Sequence, residues 1–308
     1  MYVVILRRLG QGLLVGLLVA LLVFTVARIL PGDPARIMSP HANEETLRQI
    51  REEMGLNRPL HIQFVEWCLG AIKGNFGNSI YLRQPVSNVL ADAVPNTVLL
   101  VGLAVILAIL ISLPVGTLAA VHRDTWFDRL ALGFSVMAQS LPNFWLALML
   151  LFVVTVRWNL VPAVGFKGPA YLILPVVALS FSMYAVFIRN VRLIMIGTLE
   201  SNYFMAAQAR GIPFWHAVAF HAFKNSWIPL LTILGVQIGY LLGGSIVVEY
   251  IFNFPGMGLL LIRSVLRRDY PVIQAVALIM SMAFVIINML VDISYGYIDP
   301  RIRKQAQS

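Results

Sequence analysis

Residues 97–121 read TVLLVGLAVILAILISLPVGTLAAV, twenty-five positions without one charged side chain. At 1.5 Å per residue such a run makes a helix of about 37 Å, enough to cross about 30 Å of hydrocarbon. Five further runs resemble it: Leu9 to Leu30, Leu132 to Val156, Tyr171 to Ile188, Trp227 to Val248 and Val272 to Ile293. In lipid, only a helix satisfies every backbone group of a continuous apolar run, whereas a barrel strand shows alternation. The chain is therefore read as all-α and polytopic, with six transmembrane helices. The composition agrees, since 59% of the 308 residues are hydrophobic and 12% charged, against about 25% charged in soluble domains.

The first run follows Arg7 and Arg8, as a signal peptide would. Its length exceeds the roughly 7 to 15 residues of a signal core, and Pro-Gly-Asp-Pro stands where small residues would mark cleavage. It is read as a retained anchor. With six spans both termini share one side. That side carries 11 bases: Arg7, Arg8, Arg123, Arg129, Arg189, Arg192, Arg210, Lys224, Arg301, Arg303 and Lys304. The short loops opposite carry 5: Arg157, Lys167, Arg263, Arg267 and Arg268. The bias predicts cytoplasmic termini and accounts for the formal charge of +9 without nucleic acid as a partner.

Several activities are excluded. One cysteine forms neither an internal disulfide nor a multi-cysteine zinc site, and no HExxH pair is present. None of the four lysines follows a glycine, so ATP is not bound through a P-loop. An active transporter built this way draws on an ion gradient or on another subunit. The spans are nearly free of ionisable groups, which disfavours a proton-coupled carrier. Gln139, Asn143, Gln237 and Asn288 are the deep polar groups: interhelical hydrogen bonding is the preferred reading, and a substrate pathway through Gln139, Asn143 and Gln237 the other. Asp292, near the end of the last span, is expected to pair with Arg189, Arg192 or a backbone donor. His41 and His61 make too poor a set for a metal site, and Cys68 reads as an apolar filler.

Between spans, residues 189–226 are too long for a simple connection. Ser201 or Asn202 can cap a short helix through Arg210, Gly211 suits its left-handed end, and Pro213 blocks continuation. The helix, carrying Tyr203, Phe204, Met205, Ala206 and Ala207, fits a partner's groove or a bed of lipid headgroups. On the other side, residues 31–94 are expected to hold a small ordered extracytoplasmic element. The turn at Pro255-Gly256-Met257-Gly258 has Phe252, Phe254 and Met257 as its anchors.

Ala206-Ala207 followed by Gly211, then Asn225 and Ile228-Pro229, resembles the loop by which permeases of binding-protein-dependent ABC importers engage their ATPases. Leu30 to Pro34, Met54 to Leu60, Gly74 to Ser79, Ser140 to Ala147, Gly243 to Glu249, Phe252 to Gly258, Arg268 to Gln274 and Asp299 to Arg303 are similar to the dipeptide, oligopeptide, nickel and glutathione permeases. Met205 departs from the wider superfamily, which often has Glu there. The resemblance implies the type I importer permease fold, a five-helix core from residue 94 to 308 preceded by an added helix and extracytoplasmic region over 1–93. It implies a bacterial inner membrane location and no catalytic site in this chain. Its implied partners are a second homologous permease, two ATP-binding subunits that hold the ATP and Mg, and an extracytoplasmic substrate-binding protein. Tyr203, Phe204, Met205, Ala206, Ala207, Arg210 and Gly211 would form the ATPase-coupling helix. Residues 252–261, with Phe252, Phe254 and Met257, and residues 31–94 would receive the binding protein. The cargo would be small peptides, with glutathione or nickel complexes as the alternative.

Overall fold

The computed structural model describes residues 2–29, 35, 36, 39, 41–53, 55–162 and 164–298. The motif residues Leu30 to Pro34, Met54 and Asp299 to Lys304 lie outside the described residues, as do the side chains of Arg7, Arg8 and Asp292. Helix α1 (Tyr2–Ile29) is followed by two short helices, α2 (Glu44–Glu53) and α3 (Leu60–Ile72), and by α4 (Val86–Val121). Next come α5 (Trp126–Ser140), α6 (Asn143–Leu150) with a π turn through Leu151–Arg157, and α7 (Ile173–Leu199). The short α8 (Asn202–Ala209) and α9 (Phe214–Ala217) lead through another π turn into α10 (Phe223–Ile251). α11 (Met257–Arg267) and α12 (Tyr270–Ile298) close the chain.

Five units are long and apolar enough to cross a bilayer: α1, α4, α7, α9 with α10, and α12. The third expected run differs. Leu132 to Val156 is not one straight helix, because α5 and α6 meet at 98°. Pro142 has no N–H to donate and pushes Leu141 to extended backbone, φ −86° and ψ 123°. Counting the bent pair as one broken span gives six crossings. The division expected between residues 93 and 94 falls inside α4, which is continuous there.

Directions follow from the contacts. Leu103 lies beside Ile173, and the Cβ position of Gly116 is 2.7 Å from Val191, so α4 and α7 run parallel. Both end beside α8, where the Arg123 guanidinium meets the Glu200 carboxylate at 2.8 Å. α10 runs back to the far end. α1 and α12 are antiparallel, Gly12 facing Val285 and Gly16 facing Met282, which brings the start of α1 and the end of α12 to the α8 end. The buried core is built mainly by α4, α7 and α10, including Leu100, Leu179, Met183, Val191 and Leu241. A smaller cluster joins α4, α11 and α12 through Val86, Leu90, Met257 and Val276.

Candidate functional site

At one end of the bundle, α8 closes by the geometry its sequence suggests. Arg210 is its C-cap, and Gly211 sits at φ +81°. The Gly211 N–H donates to the Gln208 carbonyl at 2.9 Å and the Ile212 N–H to the Ala207 carbonyl at 3.4 Å, which is a Schellman end. Its start differs from expectation: Ser201 is the N-cap residue but its hydroxyl turns back to the Thr198 carbonyl, and Asn202 lies inside the helix. One face of α8 is anchored. Phe204 is 2% exposed, within the main core, and its ring meets that of Phe214 edge-on at 6.1 Å. Ala207 is buried beside it. Tyr203, Met205, Ala206, Arg210 and Gly211 are exposed on the remaining surface. The seven residues singled out as one unit thus divide into an anchor and an outward face.

The frame that holds α8 is polar as well as apolar. Thr198 on α7 and Ser226 on α10 place their hydroxyls 3.1 Å apart. Arg192 on α7 and Asp128 on α5 form a bidentate pair, the carboxylate side chain 2% exposed. Asp128 also accepts the N–H of Asp124 at 2.9 Å. Arg192, one of the partners expected for Asp292, therefore belongs to Asp128. A bidentate fork fixes the orientation of both helices, because two parallel bonds remove the freedom one would leave.

The far end is organised around Glu249, which sequence reasoning did not single out. Its side chain is fully buried on α10. One carboxylate oxygen accepts the N–H groups of Gly258 at 2.6 Å and Leu259 at 3.2 Å, and the other accepts the Thr97 hydroxyl at 2.7 Å. The Thr97 oxygen in turn accepts the Met257 N–H at 2.8 Å. The first three N–H groups of α11, which no helical carbonyl can reach, are all satisfied. Gly256 is required by this approach: a Cβ there would lie 2.5 Å from both the Glu249 carboxylate and the Thr97 hydroxyl.

Two family models cover this architecture. Binding-protein-dependent transport system inner membrane component matches residues 112–304, and the N-terminal model of the same membrane components matches residues 1–101. The chain belongs to this family. It is a permease of the ABC importer type, related to the dipeptide, oligopeptide, nickel and glutathione group. The glutathione transport system permease protein GsiC of Salmonella paratyphi A is 40% identical over 288 residues, 93% of this chain and 94% of the relative. The protein of the same name from Escherichia coli K12 is 39% identical over 287 residues. Among solved structures, the inward-facing MetNI methionine ABC transporter superposes with a TM-score of 0.60 at 16% identity, over 68% of this chain and 96% of that one. That likeness establishes the type I permease fold.

Membership of the family implies work with ATPase and substrate-binding partners in a multi-pass inner membrane complex. Within this permease, one expectation about the far end is corrected. Phe252, Phe254 and Met257 are 1%, 0% and 2% exposed, so they cannot be contact side chains on the surface. They secure the turn from inside: the Phe254 ring packs on Phe166 at 5.1 Å, and the Phe252 carbonyl accepts the Gly165 N–H at 2.9 Å. Of the deep polar residues, Gln139 is exposed, and Asn143 and Gln237 are half-buried. Asn143 stands against Gly244 of α10. Among the described residues, none of the three amides makes a side-chain hydrogen bond.

Proposed function

We propose that this permease forms half of an ATP-driven passage for small peptides, glutathione among them, delivered by an extracytoplasmic binding protein. A second, homologous permease supplies the other half, and two ATPase subunits sit on the α8 end, which faces the cytoplasm with both termini. The observation that carries the reading is the two-faced α8. Phe204 and Ala207 weld it to the core while Tyr203, Met205 and Arg210 remain free for a partner. A rigid, anchored helix passes on the displacement of a closing ATPase, where a flexible loop would absorb it. The relatives named for glutathione and the peptide reading concern one chemical class, since glutathione is a γ-linked tripeptide.

The passage in this reading is lined by Gln139, Asn143 and Gln237. An amide at membrane depth needs a hydrogen-bonding partner, and water or a peptide backbone supplies what these three do not find among the described residues. The test is uptake into proteoliposomes holding the four-subunit complex, ATP inside, with the binding protein presented loaded with glutathione, a dipeptide or a nickel complex. ATP-dependent uptake of glutathione or dipeptide supports the reading. Uptake of the nickel complex alone, or uptake indifferent to ATP, refutes it.

A further inference from the structure

Burial of Phe252, Phe254 and Met257 takes those three side chains out of the surface expected to meet the binding protein, and within the other part of that expectation, residues 31–94, the loop carrying Tyr81 and Arg83 stands against Arg267. The loop at residues 78–85 is bound to the junction of α11 and α12 by Asp269, whose buried carboxylate accepts the Ser79 hydroxyl and the N–H groups of Ile80 at 3.1 Å and Tyr81 at 3.2 Å. Above that clamp the Arg267 guanidinium lies 3.6 Å from the centroid of the Tyr81 ring. Arg83, Arg263, Arg267 and Arg268 are all exposed. Asp269, the one acid of residues 72–84 and 252–270, is buried under them. Arg263 bonds the neutral Asn253 side chain at 2.5 Å, so its charge is not compensated. Among the described residues none of the four arginines has a carboxylate partner.

We propose that Arg83, Arg263, Arg267 and Arg268, surrounding Tyr81 and Leu266, are the docking face for an acidic patch on the binding protein. The inference rests on the importer reading above and deepens it. Three observations carry it. The charges persist against the topogenic bias, since three of the five bases in the short loops at this end fall within Arg263 to Arg268, where inward placement is the rule. Arg83 and Arg268 occupy left-handed backbone, φ +53° and +56°, where Gly or Asn would cost less. Arg268 closes α11 in this left-handed conformation, and at both positions the turn is filled by a charged side chain that points to solvent. Finally, stacking on Tyr81 holds the Arg267 fork flat and outward, the pose that meets a carboxylate with two bonds. Leu266, 71% exposed, adds an apolar anchor at the patch.

The test uses the whole complex in nanodiscs and titrates binding protein against ATP hydrolysis. The variant Arg83→Asp with Arg268→Asp replaces two positive charges by two negative ones, and Asp tolerates left-handed backbone. The expected result is an increase of about tenfold in the binding-protein concentration giving half-maximal stimulation, as rim charges act chiefly on encounter. Basal hydrolysis and the maximal rate should not change, and raised salt should narrow the difference. If that variant fails to assemble, Arg83→Asn with Arg268→Asn serves, with a shift of about threefold expected. A half-maximal concentration within twofold of wild type overturns the proposal. A shift that disappears in nanodiscs of neutral phosphatidylcholine assigns the arginines to anionic lipid headgroups and also overturns it. Wild-type complex that no binding protein stimulates refutes the importer reading itself, and the two failures are thereby told apart.

Discussion

Removing the Glu249 carboxylate strips the cap from α11, and its cost can be worked from the contacts. Glu249→Ala abandons the N–H groups of Gly258 and Leu259 and the Thr97 hydroxyl, all buried. Hydrogen bonds to a charged acceptor are worth about 1.5–3 kcal/mol each, and a buried donor left unpaired costs about 1–3 kcal/mol. Three such bonds do not add fully, because water enters the space vacated and Thr97 can still accept from Met257, so the net loss is about 3–5 kcal/mol. For a protein of this size, with an unfolding entropy of about 2.1 cal/mol/K per residue, that lowers an apparent melting temperature by about 5–8 °C. Glu249→Gln keeps the shape and one acceptor oxygen and should lose about half as much. The assay is loss of monodisperse permease on heating in detergent, followed by size exclusion, with tryptophan fluorescence as a second probe. The far end should loosen first, making the Phe252–Phe254 turn sensitive to protease. A Glu249→Ala protein melting within about 2 °C of wild type would mean that the cap contributes almost nothing.

Other perturbations separate the roles assigned above. Phe204→Ala empties a core position at a cost of about 3–5 kcal/mol and should lower the melting temperature of the isolated permease. Tyr203→Ala with Met205→Ala should leave that temperature unchanged and release the ATPase subunits on washing; equal melting losses in both variants would contradict the division of α8. Asp128→Asn breaks a buried fork and should cost about 3–5 kcal/mol. Asp128→Leu with Arg192→Met, which removes both charges, should recover most of that stability in the same thermal assay. Burial pushes the Cys68 thiol up, so less of it is thiolate at neutral pH and alkylation should be slower than for free cysteine, accelerating as pH rises. It is the chain's one cysteine, so incorporated label reads it directly.

The long apolar runs and the short helix between them were legible because both are written locally, one in composition and the other in its Gly-Ile-Pro ending. Proline was a poorer guide. Pro114 in α4 and Pro229 in α10 lie within continuous helices, whereas Pro142 coincides with a bend of 98°, and apolar composition on both sides hid the difference. Hydrophobicity equally failed to distinguish an anchor from a contact surface. Phe252 and Phe254 looked like docking side chains until their neighbour Phe166 arrived from another loop. Glu249, a lone acid at the end of an apolar run, carries no local sign of its role. Its role exists only once α11 folds back to aim its N–H groups at it, with Thr97 coming from a helix 152 residues away in sequence. Arg263, Arg267 and Arg268 were counted among the outward charges, but the Asp269 clamp that brings the segment of Arg83 to them is a contact between distant segments.

Coupled transport requires α8 to be an anchored lever that presents its outer face to an ATPase. In a cysteine-free background made with Cys68→Ala, Met205→Cys and Phe204→Cys can each be tested by cross-linking in membranes holding the importing complex. Met205→Cys should join the ATPase subunit in high yield, with the yield changing when ATP is bound, while Phe204→Cys remains unlinked inside the core. An importing complex in which Met205→Cys never reaches the ATPase, or in which Phe204→Cys reaches it as readily, would contradict the claim.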